Sequence, residues 1–308
     1  MKAYIDTRFF TKEEAASLDA HFKTITFIKD MNDATEAEVA IVTPQFVTKE
    51  HIKTFKNLKW IQLLTAGYDN AELSAIKNQD VILTNALDVF SIQIAEDVLS
   101  KILLINRQLK GQIKHMSQGL WQHIPVTHEL YGSTVGIIGT GSIGKEVAKR
   151  LKPFEVTILG YRTKSEPVLY FDQILTSQKG LNQLIEKSDY IIIAIPLSDK
   201  THHLLNKENM KQLKHDVVII NVARGEIIDQ DALVSLLREQ KVRGVGLDVT
   251  TPEPLPSDHI LWTFDQVTIT PHNASSSPYM STRLLDVVKD NIERYLQKED
   301  LRFVVKID

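Results

Sequence analysis

Val135-Gly136-Ile137-Ile138-Gly139-Thr140-Gly141-Ser142-Ile143-Gly144 reads as a buried strand running into a glycine-rich turn and then a helix. Gly139, Gly141 and Gly144 have the spacing G-x-G-x-x-G. In a strand–turn–helix unit each glycine has its own task. The first permits a tight turn, the second lets the backbone approach a pyrophosphate, and the third lets the helix pack closely on the strand. The helix N-terminus then turns its N–H groups and positive dipole end toward the phosphates. The motif alone is weak, and its context strengthens it. Thr134–Ile138 is apolar and β-branched, and Ser142–Lys152 carries Ile143, Val147 and Leu151 at helical spacing. The stretch predicts a dinucleotide site.

Outward from this turn the chain alternates strand and helix signals. Downstream, strands are expected at Thr134–Gly139, Val156–Tyr161, Tyr190–Ile195, Val217–Val222, Val245–Val249 and Val267–Thr270. Six strands with intervening helices match a complete dinucleotide fold. The runs Ile191-Ile192-Ile193 and Val217-Val218-Ile219-Ile220 are continuous, as in strands covered on both faces. Upstream, strands are expected at Ala3–Ile5, Ile25–Ile28, Val39–Val42, Trp60–Leu64 and Val81–Thr84. Amphipathic stretches at Thr11–Phe22 and Thr48–Phe55 lie between them, the first opening on a Thr11/Glu14 capping-box pattern. A long helix is expected from Phe90 to about Leu109, then an irregular connector or oligomer arm, Gln112–Tyr131, holding Trp121. A last helix, about Tyr279 to Gln297, can return to the first domain. The expected fold is α/β with two doubly wound parallel-sheet domains. A Rossmann nucleotide domain, 99–274, is inserted into a flavodoxin-like substrate domain, 1–98 plus 275–308, with a cleft between two lobes.

Composition narrows the function. The chain has 308 residues, a net charge of −3 and no cysteine. The absence of cysteine excludes disulfides, thiolate metal sites and a cysteine nucleophile. No long basic block points to nucleic acid. No apolar run reaches the roughly 18 residues of a membrane span. The start, Met1-Lys2-Ala3-Tyr4-Ile5-Asp6, does not read as a signal peptide. A cytoplasmic protein acting on a small molecule is the expectation.

An acidic residue about 20 residues beyond the glycine turn usually binds the ribose 2′-hydroxyl of NAD. Here the region is Leu159-Gly160-Tyr161-Arg162-Thr163-Lys164, with no carboxylate until Glu166. Arg162 can pair bidentately with a 2′-phosphate, and Lys164 adds a point charge. Thr163 supplies a hydroxyl. The expected cofactor is NADP(H), with NAD(H) second.

Three further segments carry uncommon combinations. Asn221-Val222-Ala223-Arg224-Gly225 places an Arg at a strand's carboxyl end, where open α/β sheets bind ligands, and its planar fork suits a carboxylate. In Asp248-Val249-Thr250-Thr251-Pro252-Glu253-Pro254-Leu255-Pro256, prolines fix a loop around one carboxylate, Glu253, and Asp248 stands at the strand end, near enough in sequence to meet a nicotinamide carboxamide. Thr270-Pro271-His272-Asn273 sets a histidine, the natural proton carrier near neutral pH, after a turn-forming proline. A carboxylate such as Glu253 would hold its tautomer and favour the imidazolium. Each segment alone reads as an ordinary surface loop. Together, in one order and at three strand ends, they read as a catalytic set.

With these residues in place, the chain resembles the D-isomer-specific 2-hydroxyacid dehydrogenase family, in particular its glyoxylate/hydroxypyruvate reductases. The resemblance covers nearly the whole chain and is strongest from about Trp121 to Ser277, including Gly119–Trp121, Glu129-Leu130, Pro196-Leu197 with Thr201, and Pro271-His272. It implies that Arg224, Glu253 and His272 are the catalytic trio. It implies that Ser142, Ile143, Pro196, Thr201, Val222, Ala223 and Asp248 touch the cofactor. It also implies that the loop Thr65-Ala66-Gly67-Tyr68-Asp69 offers backbone N–H groups from Ala66 and Gly67 to the carboxylate of a small 2-oxo acid, with Tyr68 shaping the pocket, and that the protein is a homodimer. The chain departs from the family at Arg162, where an acid is common, at the single glycine of the Ala66-Gly67-Tyr68 loop, and at Ala274–Ser277 after His272. Two other readings stand beside this one. A nucleotide-sensing corepressor on the same fold would not need the intact trio. Phosphoglycerate dehydrogenase would need added basic residues in the first lobe, and often a regulatory domain for which this chain is expected to have no room.

Overall fold

In the computed structural model, which describes residues 1–77 and 79–307, the chain divides into two units, Met1–Phe90 with Ser276–Asp308, and Ser91–Ser275. The first unit holds β1 (Lys2–Ile5), β2 (Thr26–Ile28), β3 (Val39–Val42), β4 (Trp60–Leu63) and β5 (Ile82–Thr84), all parallel, in the order β2-β1-β3-β4-β5. This is the flavodoxin-like order. Helix α1 (Lys12–His21) opens on the expected capping box: the Glu14 N–H donates to Thr11 Oγ1 at 3.1 Å and the Thr11 N–H to Glu14 Oε2 at 2.8 Å. Helix α2 spans Lys49–Thr54. The sheet has a core on each face, and β3 shows why. Val39 and Ile41 join one cluster, with Leu284, Leu285, Val288 and Ile292 of the C-terminal helix Met280–Gln297, while Ala40 and Val42 join the other.

The second unit opens with α3 (Ser91–Asn106). By packing, the units divide at Phe90/Ser91, the start of this helix, and at Ser275/Ser276, beside the expected division at 98/99 and 274/275. Helix α3 packs on the strands of this unit through Lys101 and Ile105. Added Cβ atoms at Gly244 and Gly246 would lie 2.5 Å from Ile105 Cγ2 and 2.9 Å from Lys101 Cδ, so two bare positions on one strand face let the helix lie close. The helix stops short of Leu109 because Gln108 adopts φ 54°, ψ 33°, and a separate helix α4 (Leu109–Ser117) follows. The connector is thus helical in its first part and irregular after it.

Seven strands follow: β6 (Thr134–Ile138), β7 (Thr157–Tyr161), β8 (Gln173–Leu175), β9 (Tyr190–Ile193), β10 (Val217–Asn221), β11 (Val242–Leu247) and β12 (Val267–Ile269). They form one parallel sheet in the order β8-β7-β6-β9-β10-β11-β12. The expected six strands are all present. The seventh, β8, is a three-residue edge strand with no counterpart among the strands expected from sequence. Helices α5 (Ser142–Leu151), α6 (Ser177–Lys187), α7 (Lys207–Met210) and α8 (Gln230–Arg238) complete the unit. Strand order reverses between β6 and β9, the switch point at which open α/β sheets bind ligands beyond their carboxyl ends.

Candidate active site

The glycine turn lies at this switch point. Gly139 has φ +103°, a conformation side chains rarely adopt, and a Cβ there would lie 2.4 Å from the Ala194 carbonyl oxygen. A Cβ at Gly144 would lie 2.0 Å from the Gly139 carbonyl oxygen, so α5 meets the turn without space for a methyl group. Gly141 is the N-cap of α5, no side chain caps that helix, and no atom lies within 4 Å of where its Cβ would be. The first turn of α5 thus has no side-chain cap, and Ser142 and Ile143 are half-buried there. An uncapped helix start behind a glycine turn fits a pyrophosphate.

Arg162, Thr163 and Lys164 follow β7 directly. The Arg162 N–H donates to the Leu175 carbonyl at 3.2 Å, tying this end to β8, and Thr163 and Lys164 are exposed. After β9, the Thr201 hydroxyl donates to the Pro196 carbonyl at 2.7 Å and accepts from the Ser198 N–H at 2.7 Å, which closes that loop. Val222 and Ala223 are buried.

The three remaining segments leave the neighbouring strands β10, β11 and β12 at their carboxyl ends. Asn221, the last residue of β10, is fully buried. It accepts from the Ala223 N–H at 3.0 Å and donates to the Arg224 carbonyl at 2.8 Å. Arg224 Nη1 donates to the Ala223 carbonyl at 2.6 Å. Glu253 Oε1 accepts from the Thr250 N–H at 3.1 Å, and Glu253 Oε2 lies 2.9 Å from His272 Nδ1. A carboxylate only accepts, so Nδ1 carries the hydrogen of this bond. His272 is at φ +49°. Its N–H donates to the Asp248 carbonyl at 2.8 Å and the Thr270 carbonyl at 2.9 Å. The Asp248 carboxylate is buried and accepts from the Thr270 hydroxyl at 2.6 Å and from the Asn273 and Ala274 N–H groups at 3.1 Å each. Asp248 thus holds the loop that carries His272, a task in addition to the cofactor contact expected of it. Asn221 and Thr270 escaped sequence reasoning; a polar residue ending an apolar strand was the available signal for Asn221.

Behind β11, Lys101 of α3 is 3% exposed by its side chain and hydrogen-bonds Asp97. Burial pushes the Asp97 carboxyl above its ordinary value, Lys101 draws it back, and the charge of Asp248 adds to the rise. In the first unit, Ala66, Gly67 and Tyr68 follow β4. The Ala66 carbonyl accepts from Asn85 Nδ2 at 2.8 Å, the Gly67 carbonyl accepts from the Thr65 hydroxyl at 2.7 Å, and Tyr68 packs on the unit's core. Among the described residues no group of His, Asp and Glu is placed to hold a metal ion, and no helix is long and apolar enough to cross a membrane.

The family profile described as "D-isomer specific 2-hydroxyacid dehydrogenase, NAD binding domain" matches residues 99–274. The chain belongs to the D-isomer specific 2-hydroxyacid dehydrogenase family. Among its relatives, the glyoxylate reductase of Pyrococcus horikoshii is 32% identical over 82% of this chain and 78% of its own length. The D-3-phosphoglycerate dehydrogenase of Methanocaldococcus jannaschii is 32% identical over 88% of this chain, which spans about half (52%) of that protein. Among solved structures, an acyclic imino acid reductase in complex with NADPH and D-Arg superposes with a TM-score of 0.86 at 25% identity, over 99% of this chain and 100% of that one. The D-2-hydroxyacid dehydrogenase family is one of nucleotide-dependent oxidoreductases, and its nucleotide domain here is the unit that carries the glycine turn and the Arg224, Glu253 and His272 segments.

Proposed function

We propose that this dehydrogenase transfers hydride between NADP(H) and C2 of a small 2-oxo acid or D-2-hydroxy acid, with His272 as proton donor. The observation that carries this reading is the 2.9 Å pairing of Glu253 Oε2 with His272 Nδ1 beside the Arg224 segment. The nicotinamide supplies or accepts the hydride when bound. Arg224 binds the substrate carboxylate with its planar fork and polarises the C2 carbonyl. Charge develops on the carbonyl oxygen, and His272 Nε2–H donates a proton to it. Glu253 keeps the imidazole in the tautomer and orientation that this transfer needs. Positioned proton transfer contributes about 10²–10⁴-fold. In the other unit, we assign the Ala66 and Gly67 N–H groups to the substrate carboxylate and Tyr68 to the pocket wall, on the strength of the family resemblance.

NADP(H) is favoured by Arg162 and Lys164 at the end of β7 and by the absence of a carboxylate before Glu166; the NADPH bound to the similar imino acid reductase is consistent with it. Arg162→Asp is expected to lower kcat/KM with NADPH about tenfold or more while leaving or raising that with NADH. A wild-type preference for NADH in initial rates contradicts the assignment. A homodimer is favoured by the family resemblance and by the exposed Met116 on α4 and Trp121 just after it. The deciding assay is turnover of glyoxylate, hydroxypyruvate, pyruvate, branched 2-oxo acids and 3-phosphoglycerate with both cofactors, with an amine added in one arm to form the imino acid. Dinucleotide binding without turnover in any arm favours the sensing regulator instead.

A further inference from the structure

We infer that Gln230 is a positioning residue for the Glu253–His272 pair, a role that rests on the proton-donor reading above. The carboxamide of Gln230 pairs with both sides of Thr251. Nε2 donates to the Thr251 carbonyl at 2.6 Å, and the Thr251 N–H donates to Oε1 at 3.1 Å. A carboxamide carries a donor and an acceptor side by side in one plane, so it engages a residue's N–H and C=O as a neighbouring strand would. Thr251 is the place in this loop where such a grip is strongest. Pro252 and Pro254 have no N–H, and the Thr250 N–H is already given to Glu253 Oε1. Both backbone groups of Thr251 go to one side chain.

That side chain is itself fixed. Gln230 is the first residue of α8, whose N-cap, Asp229, accepts from the Ala232 N–H at 3.0 Å and donates its own N–H to the Leu205 carbonyl at 2.9 Å. The same segment begins at Arg224. Between them, the backbone at Gly225 lies so close to the loop that a Cβ there would sit 2.2 Å from the Thr250 carbonyl oxygen. Two contacts, one of close packing and one of paired hydrogen bonds, therefore join the Arg224 segment to the Glu253 loop. Gln230 sets where Glu253 stands, and through it which way His272 faces. A Gln that bonds Thr251 directly from 21 residues away in sequence has no motif to announce it, and nothing in the family resemblance assigns it a part.

A double-mutant cycle tests this. Gln230→Met keeps the side-chain length and removes both bonds; Gln230→Glu keeps the acceptor for the Thr251 N–H and loses the donor. Kinetics are measured with the best 2-oxo acid and NADPH, beside thermal melting. Gln230→Met is expected to lower kcat about 5–30-fold, leave the KM for NADPH within twofold, and raise the solvent deuterium isotope effect on kcat as proton transfer slows. Gln230→Glu is expected to recover part of the loss. Combined with Glu253→Ala, Gln230→Met is expected to add little beyond the single Glu253→Ala loss, because both act through one carboxylate. Additive losses, or near-wild-type kcat and isotope effect in a folded Gln230→Met enzyme, overturn the role of Gln230 while the Glu253 single variant still upholds the catalytic reading. A Glu253→Ala enzyme with wild-type turnover overturns both. If Gln230→Met does not fold, the comparison of Gln230→Glu with Gln230→Glu/Glu253→Ala gives the same decision.

Discussion

At Gly144 the distance between a methyl group and a working turn is 2.0 Å, the separation of a built Cβ from the Gly139 carbonyl oxygen. Gly144→Ala must push α5 off the strand, which costs about 1–3 kcal/mol and withdraws the helix N-terminus from the phosphates. Dinucleotide affinity, read by quenching of tryptophan emission, is expected to fall tenfold or more; unchanged affinity would contradict the assignment of the turn. Glycine spacing of this sort is legible in sequence because backbone geometry demands the residue type. The pairing of Glu253 with His272 is legible for a similar reason: a proline-bracketed carboxylate and a histidine after a turn-forming proline each announce a chemistry. Asn221, Gln230 and Thr270 are not legible. They act by hydrogen-bonding backbone groups that come near only in the folded chain, and any polar side chain of suitable length would look the same beforehand. The left-handed backbone of His272 is equally invisible, although strain at such a place is common in working sites.

At the scale of elements, α3 shows what periodicity tells and what it hides. Its apolar face is plain, but nothing in the pattern tells that Lys101 lies buried against Gly246 of β11, paired with the partly buried Asp97. Asp97→Ala leaves the Lys101 ammonium buried without this partner and is expected to cost about 3 kcal/mol. The double replacement Asp97→Leu with Lys101→Met is expected to recover most of it, as measured by urea denaturation. A single variant as stable as wild type would show that the pair contributes nothing. On the far edge of the same sheet, Asp172 accepts from Lys152 Nζ at 2.6 and 2.7 Å and from the Ile158 N–H at 2.7 Å. Burial raises its pKa, and these donors outweigh that, so the carboxyl is held below its ordinary value. A depressed carboxyl stabilises the fold above the ordinary carboxylate range and loses that contribution as pH falls through the folded value. Asp172→Asn is expected to lower the urea midpoint at neutral pH and to flatten its decline below about pH 4. Equal slopes in variant and wild type would contradict this.

For the molecule as a whole, continuous apolar runs in β9 and β10 told of a parallel sheet covered on both faces, and these strands lie fully buried within one. The return of the C-terminal helix to the first unit was legible from order alone, since a helix after the last nucleotide-domain strand has few places to go. The division by packing at Phe90/Ser91 is not written in the sequence, because it depends on which sheet the face of α3 covers. The nucleotide unit brings its three chemical segments to adjacent strand ends, and the proposal that they move a proton is decided by one comparison. It is the kcat of His272→Gln against wild type on the best 2-oxo acid at saturating NADPH, with NADPH affinity measured on both. A fall of about 10²-fold or more at unchanged NADPH affinity is predicted. Turnover within a few-fold of wild type would contradict the assignment of His272 as proton donor.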